Sequence, residues 1–271
     1  MPIITVSRGT FSGGSEMAGC LGEHLGYQVV SREILAEAAA RYGVSEAKLV
    51  RALEKSPGFW DRFLHDRRLY LAFIQAALCE RVEGDNVVYH GHAGHLLLRG
   101  VRHVLRVRLI APLEYRVAQV RERMHLTGDD AVRHIERVDR ERANWTRFLY
   151  GVDWHDPTLY DLTVSLERFD LAAACQVVAT AAAQPQFQPD EASRKALADL
   201  RLASQVRAAL AADPSTAHAE VEVHADAGAL VILGKLADPR LVEAVVAGAR
   251  AVAGVRSVEY GTRLMLEDVV P

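Results

Sequence analysis

The first sixteen residues constrain this chain most. Ile3 to Ser7 is a short apolar run, and it meets the glycine-rich stretch Ser7-Arg8-Gly9-Thr10-Phe11-Ser12-Gly13-Gly14-Ser15-Glu16, beyond which the spacing turns helical. In a strand, glycine turn and helix, successive backbone N–H groups can point inward, and the helix N-terminus adds partial positive charge. Gly9, Thr10, Phe11, Ser12, Gly13, Gly14, Ser15 and Glu16 are therefore the candidate phosphate-binding loop. Gly9 and Gly14 hold the spacing of the fixed glycines in G-x-x-x-x-G-K-[ST]. The next two positions depart from that pattern. Ser15 stands where the motif has lysine, and Glu16 where it has a magnesium-binding hydroxyl. Serine sets no charge against a transferring phosphoryl group, and a carboxylate repels one. On the loop alone, a phosphate site and a ligand-free glycine turn stay equally open.

Downstream, short apolar runs alternate with helical spacing. Strands are expected at Tyr27–Val30, Asn86–His90, His103–Ile110 and Tyr160–Ser165. Helices are expected at about 16–25, 32–42, 45–55, 60–82, 112–124, 128–150 and 171–183. This alternation predicts a parallel sheet with helices on both faces, and the helices between the second and third strands read as an insertion. Gln184 to Glu191 carries two prolines among polar residues and reads as a linker. Beyond it the order is helix, strand, strand, helix, strand. Asp226-Ala227-Gly228 turns a hairpin, and Asp238-Pro239 caps the second helix. The expected domains are 1–183, a linker at 184–193, and a small α+β domain at 194–271.

Charge and composition narrow the function. The net charge is −3, and the part from Ala198 onward has 7 basic against 10 acidic residues, which leaves 25 against 25 elsewhere. Neither part is basic, and aromatic residues make up only 7%, so a nucleic-acid partner is not expected. Cys20, Cys79 and Cys175 are odd in number and far apart, so neither a disulfide nor a zinc site is expected and a reducing compartment is. The start has no basic n-region or h-region, and no apolar stretch is long enough to span a bilayer. A cytoplasmic protein is expected.

Several ordered motifs resemble the cytidylate kinase-like family of P-loop kinases. They are Ile4-Thr5-Val6-Ser7-Arg8 with its loop, Leu25-Gly26-Tyr27, Ser31-Arg32-Glu33-Ile34-Leu35, Gly91-His92-Ala93-Gly94, and Leu109 to Arg116 with its A-P-L-E-Y-R core. Asp139-Arg140-Glu141-Arg142-Ala143-Asn144-Trp145 is similar to the family's lid helix. Gly151-Val152-Asp153-Trp154, Asp156-Pro157 and Tyr160-Asp161-Leu162 are similar to its closing segment. The resemblance covers roughly residues 1–183. From Ala198 to about Leu264 the chain resembles a BON domain, a small binding module.

The resemblance implies γ-phosphoryl transfer from ATP, with Mg2+, to a nucleoside monophosphate such as CMP. It implies Arg140 and Arg142 as lid arginines, and Arg32 and His92 as acceptor contacts. Arg8 and Arg32 are both candidates to replace the missing cation, and a plain structural role stays open for each. Three positions depart from the family: Ser15 replaces a basic residue, Ser31 an aspartate and His92 an arginine. Removing one preorganised charge-stabilising donor costs on the order of 10²–10³ in rate. An active kinase and a nucleotide-binding regulator without turnover thus stay open, as does a scaffold whose BON-like module binds a partner or lipid. The module's ligand and any homo-oligomer are left open. His90, His92 and His95 form an H-x-H-x-x-H pattern, but no metal site is expected there.

Overall fold

The computed structural model describes residues 1–54 and 64–261. The chain divides into two compact units. The first is formed by Met1–Glu33, described residues 53–54 and Gly84–Asp190; the second holds Ile34–Ala52, described residues 64–83, and 191–261.

The first unit is built on a five-stranded, wholly parallel sheet. Its strands are β1 (Ile3–Arg8), β2 (Gln28–Val30), β3 (Val87–Tyr89), β4 (Val104–Ile110) and β5 (Leu162–Ser165), in the order β2-β3-β1-β4-β5. The expected alternation of strands and helices is present. The helices are α1 (Gly14–Leu25), α5 (Gly94–Leu97), α6 (Leu113–Met124), α7 (Gly128–Tyr150) and α8 (Leu171–Ala182). The four-residue α5 was not legible as a helix in the sequence.

The two-residue period of β1 sorts its side chains. Ile4 and Val6 enter one core with Met17, Ala18 and Leu21 of α1, Leu105 and Val107 of β4, and Ala174, Cys175 and Val178 of α8. Thr5 and Ser7 alternate with them and are buried too. Ser7 meets Trp154 and Tyr160 (3.1 and 3.4 Å). β1 thus ends in the middle of the sheet and delivers its loop there.

One sequence expectation is overturned. Cys20 and Cys175 form a disulfide, with Cα atoms 6.3 Å apart. Their separation of 155 residues hid a proximity that arises because α1 and α8 pack together in one core. Cys79 is free, and burial pushes its thiol up to about 11.

The second unit contains α2 (Glu33–Tyr42), α3 (Glu46–Glu54), α4 (Leu64–Arg81), α9 (Glu191–Ala212), α10 (Pro239–Arg250) and strands β6 (Val221–Asp226), β7 (Ala229–Gly234) and β8 (Ser257–Gly261). Part of the helix expected at 60–82 and the end of the strand expected at 255–264 lie outside the described residues. β6 and β7 form the expected hairpin, and β8 joins β7 in parallel. Asp238 caps α10 by accepting from the Arg240 N–H (2.9 Å). Leu202, Val206 and Leu210 of α9 pack into a core with Val223, Leu230, Ile232 and Val245. Another face of α9 lies along α4: Gln205 Nε2 donates to Glu80 (2.8 Å) and Arg201 pairs with Glu83 (3.0 Å).

Candidate active site

The loop is wound as the glycine pattern requires. Ser12 N–H donates to the Gly9 carbonyl (3.2 Å), and Gly13 takes a left-handed conformation (φ 78°) to enter α1. Phe11 is also left-handed (φ 58°), which is uncommon for a bulky residue and costs on the order of 1–3 kcal/mol. Its side chain packs against the small core of Val120, Ala131 and Ile135 between α6 and α7, with the His134 ring centroid 6.2 Å away. The first N–H groups of α1 have no carbonyl one turn earlier to accept them, as at any helix start.

Two arginines lie across the two fixed glycines. A Cβ on Gly14 would come within 2.3 Å of Arg8 Cδ, and one on Gly9 within 3.3 Å of Arg116 Cζ. Gly14 is thus required by the close approach of the Arg8 stem; at Gly9 the nearest atom is Ser12 Oγ (2.9 Å), with Arg116 next. Arg116 Nε donates to the Thr10 carbonyl (2.7 Å), and its other arm pairs with Asp139. Arg142 Nη1 donates to Thr10 Oγ1 (3.1 Å) and meets the Arg8 carbonyl (3.5 Å). Asp139 Oδ1 accepts from both the N–H and the hydroxyl of Thr10 (2.8 and 2.7 Å). Three guanidiniums therefore surround the loop with Asp139 set among them.

Electrostatics follow from that crowding. Burial, and then Arg142, pull the Arg8 guanidinium down to about 10. Burial, then Arg142 and Arg8, hold His92 well below the ordinary histidine range. Burial, then Arg106 and Arg108, bring His95 to about 4. Both imidazoles are neutral at pH 7, so His92 offers a neutral hydrogen-bonding group where the family pattern has a cation. Its Nε2 is buried without a partner, and its ring meets Trp145 edge-on at 4.5 Å. Ser7, Arg8, His92, His95, Arg142 and Trp154 line a cavity of about 10 Å³.

The other expected residues fall differently. Ser15 is exposed on the first turn of α1. Glu16 pairs with Arg123; burial, the largest single influence, raises its carboxyl, but the hydrogen bonds from Arg123 and the backbone together with the Arg123 charge hold it below its ordinary value. Arg32 is exposed just after β2, and its charge is felt at Arg8. Arg140 is exposed on α7, whereas Arg142 turns toward the loop. Among the described residues, no group of three or more His, Cys, Asp or Glu could hold a metal ion.

The sequence reading missed Arg116 and Asp139 as site residues. Both lie inside motifs it had quoted, Arg116 closing A-P-L-E-Y-R and Asp139 opening the lid segment. The closing segment is scaffolding. Trp154 Nε1 donates to Ser7 (3.1 Å), Arg108 bonds the Trp154 carbonyl (2.7 Å), and Asp156 caps the following turn at Thr158 (2.8 Å).

A parallel sheet with a glycine loop between its central strand and a helix defines a P-loop kinase-like fold. The chain belongs to the cytidylate kinase-like family, which matches residues 3–168; residues 198–264 match the BON domain. The cytidylate kinase of Sulfolobus acidocaldarius is 29% identical over 165 residues, 60% of this chain and 84% of that protein. That of Ignicoccus hospitalis is 30% identical over 168 residues, 61% and 90% of the two chains. An uncharacterized protein from Eubacterium ventriosum shares the fold (TM-score 0.51, 18% identity, 67% of this chain and 98% of that one).

Proposed function

We propose that this chain transfers the γ-phosphoryl group of ATP to a nucleoside monophosphate of the CMP type. The observation that carries this reading is the set of three guanidiniums, Arg8, Arg116 and Arg142, gathered on a loop that leads into the N-terminus of α1. Cations and helix N–H groups arranged in advance are what phosphoryl transfer needs, because positioning and charge supply nearly all of its catalysis. Gly9 to Glu16 hold the donor phosphates. Arg8 takes the place of the absent loop lysine, and Arg142 closes from α7, with Arg140 beside it on the exposed side. Arg32 and His92 serve the acceptor.

The loop's donors and cations fit a polyphosphate. Its carboxylates do not offer a metal site, since Arg123 holds Glu16 and Arg116 holds Asp139. Mg2+ would arrive bound to the nucleotide's own phosphates and water, as this ion commonly does. Among the described residues no helix is long and apolar enough to cross a membrane. The BON-like module supplies a further binding surface for a partner or lipid.

Coupled ADP-release assays with CMP, dCMP, UMP and AMP, run beside calorimetric titration with ATP, test the proposal. Turnover with a pyrimidine monophosphate is expected. ATP binding without turnover on any acceptor would instead favour the regulator, the reading motivated by uncharged Ser15. No ATP, GTP or ADP binding at millimolar nucleotide would remove both.

A further inference from the structure

Asp139 takes hydrogen bonds that a phosphate oxygen would take. It reaches the loop from α7, and its Oδ1 accepts from the Thr10 N–H and the Thr10 hydroxyl at 2.8 and 2.7 Å. Its Oδ2 pairs with Arg116, which itself bonds the Thr10 carbonyl (2.7 Å). One carboxylate thus occupies a backbone donor of the loop and pairs with two of the three surrounding guanidiniums, Arg116 and, at 3.9 Å, Arg142. Charge-assisted contacts of this kind are about twice as strong as neutral ones and suit an anion.

Beside the loop, Ser7, Arg8, His92, Arg142 and Trp154 line a cavity of about 10 Å³, enough for about one water. Phe11 adds a second tie, with its left-handed backbone and its side chain set in the α6–α7 core.

We propose that Asp139 is a built-in phosphate surrogate that latches α7 onto the loop and is expelled when a nucleotide phosphate binds. The incoming phosphate exchanges with the carboxylate on Thr10 N–H and Arg116, and α7 is released as the site fills. This rests on the nucleotide reading above. It makes Asp139 a positioning residue whose charge opposes ligand binding, so part of the phosphate's interaction is offset by breaking the latch.

The experiment uses the full chain with Asp139→Asn, Asp139→Ala and Asp139→Glu. Titration with ATP and, separately, with inorganic tripolyphosphate gives affinities, and hydrogen exchange reads the loop and α7. Asp139→Asn and Asp139→Ala are expected to bind both probes at least about tenfold tighter than the natural protein, a 1.4 kcal/mol difference. Their amides at residues 10–13 and 139–146 should exchange faster before any ligand is added. Asp139→Glu, which keeps the charge, should stay nearer the natural protein. Tighter tripolyphosphate without tighter ATP would support the latch and sink the nucleotide reading. Unchanged, weakened or undetectable binding of both probes in both neutral variants overturns the latch. It would leave Asp139 as a residue that only shapes the loop.

Discussion

Gly14→Ala tests whether Arg8 is fixed across the loop and whether that placement matters. The new methyl would lie 2.3, 2.7 and 2.8 Å from Cδ, Cγ and Nε of Arg8. These are stem atoms. β1 pins one end of the side chain and the buried guanidinium the other, so Arg8 has to leave its place. Overpacking of this kind costs about 1–3 kcal/mol. Helix propensity opposes it, because Ala is favoured over Gly by up to about 1 kcal/mol in a helix. A net loss of stability between about 0 and 3 kcal/mol follows. The functional loss should be larger, on the order of 10²–10³ in rate, because a charge-stabilising donor is displaced. Gly19→Ala is the control within the same helix. A Cβ there meets nothing within 4 Å, so the protein should gain up to about 1 kcal/mol and keep its turnover. Urea denaturation and ADP release with CMP, with ATP affinity read alongside, separate the two effects. A folded Gly14→Ala protein as active as Gly19→Ala would refute the assignment of Arg8 as the working cation.

Three further outcomes are expected. Arg8→Lys should lose most activity and Arg8→Ala on the order of 10²-fold or more, because a buried amine beside Arg142 sheds its proton more readily than a guanidinium; full activity in Arg8→Lys, measured by ADP release, would contradict this. His95 is 4% exposed and its folded pKa is about 4 against an ordinary 6.5, so the unfolded chain binds the extra proton between those values. Stability is therefore fully present above about 6.5 and falls toward pH 4, by up to about 3 kcal/mol from this residue; urea midpoints across pH 4–7 in the natural protein and His95→Gln should diverge in slope, and parallel profiles would exclude the effect. Reducing the Cys20–Cys175 bridge should cost about 2–5 kcal/mol, since it closes a long loop; an identical melting temperature with and without a phosphine reductant, or free thiols at both positions by mass, would count against the bridge.

The fold was largely legible because its signals are local. The alternation in β1, the capped start of α10 and the glycine turn between β6 and β7 each depend on a few neighbouring residues. What escaped depends on packing between distant segments. The disulfide required α1 and α8 to lie in one core. The covering of a second α9 face by α4 required two helices more than a hundred residues apart in sequence, and the polar residues that meet there, Arg201 and Gln205, read as ordinary surface positions. Arg116 and Asp139 were visible as motif members, yet nothing in the spacing said that they meet each other across Thr10. His92 was legible as standing in an arginine's place, but its neutrality comes from burial beside Arg8 and Arg142, which sequence alone does not contain.

If Arg8 is the working cation proposed above, the absent lysine is a cation moved within the strand-loop-helix unit. In the standard motif the lysine leaves from the helix side of the loop. Here Ser15 at that position is exposed, and on that reading the charge comes instead from Arg8, the last residue of β1, one position before Gly9. A side chain launched from the strand must cross the loop to reach its mouth, and only a glycine at 14 leaves room for that crossing. The burial that results, together with Arg142, would favour the neutral form of a lysine. Arginine tolerates the same place: even drawn down to about 10, it stays protonated at pH 7 by roughly three pH units. The moved cation, the bare Gly14 and the choice of arginine are thus one arrangement. The serine in the lysine position then marks a different launching point for the charge, and it gives no ground by itself for reading the loop as inactive.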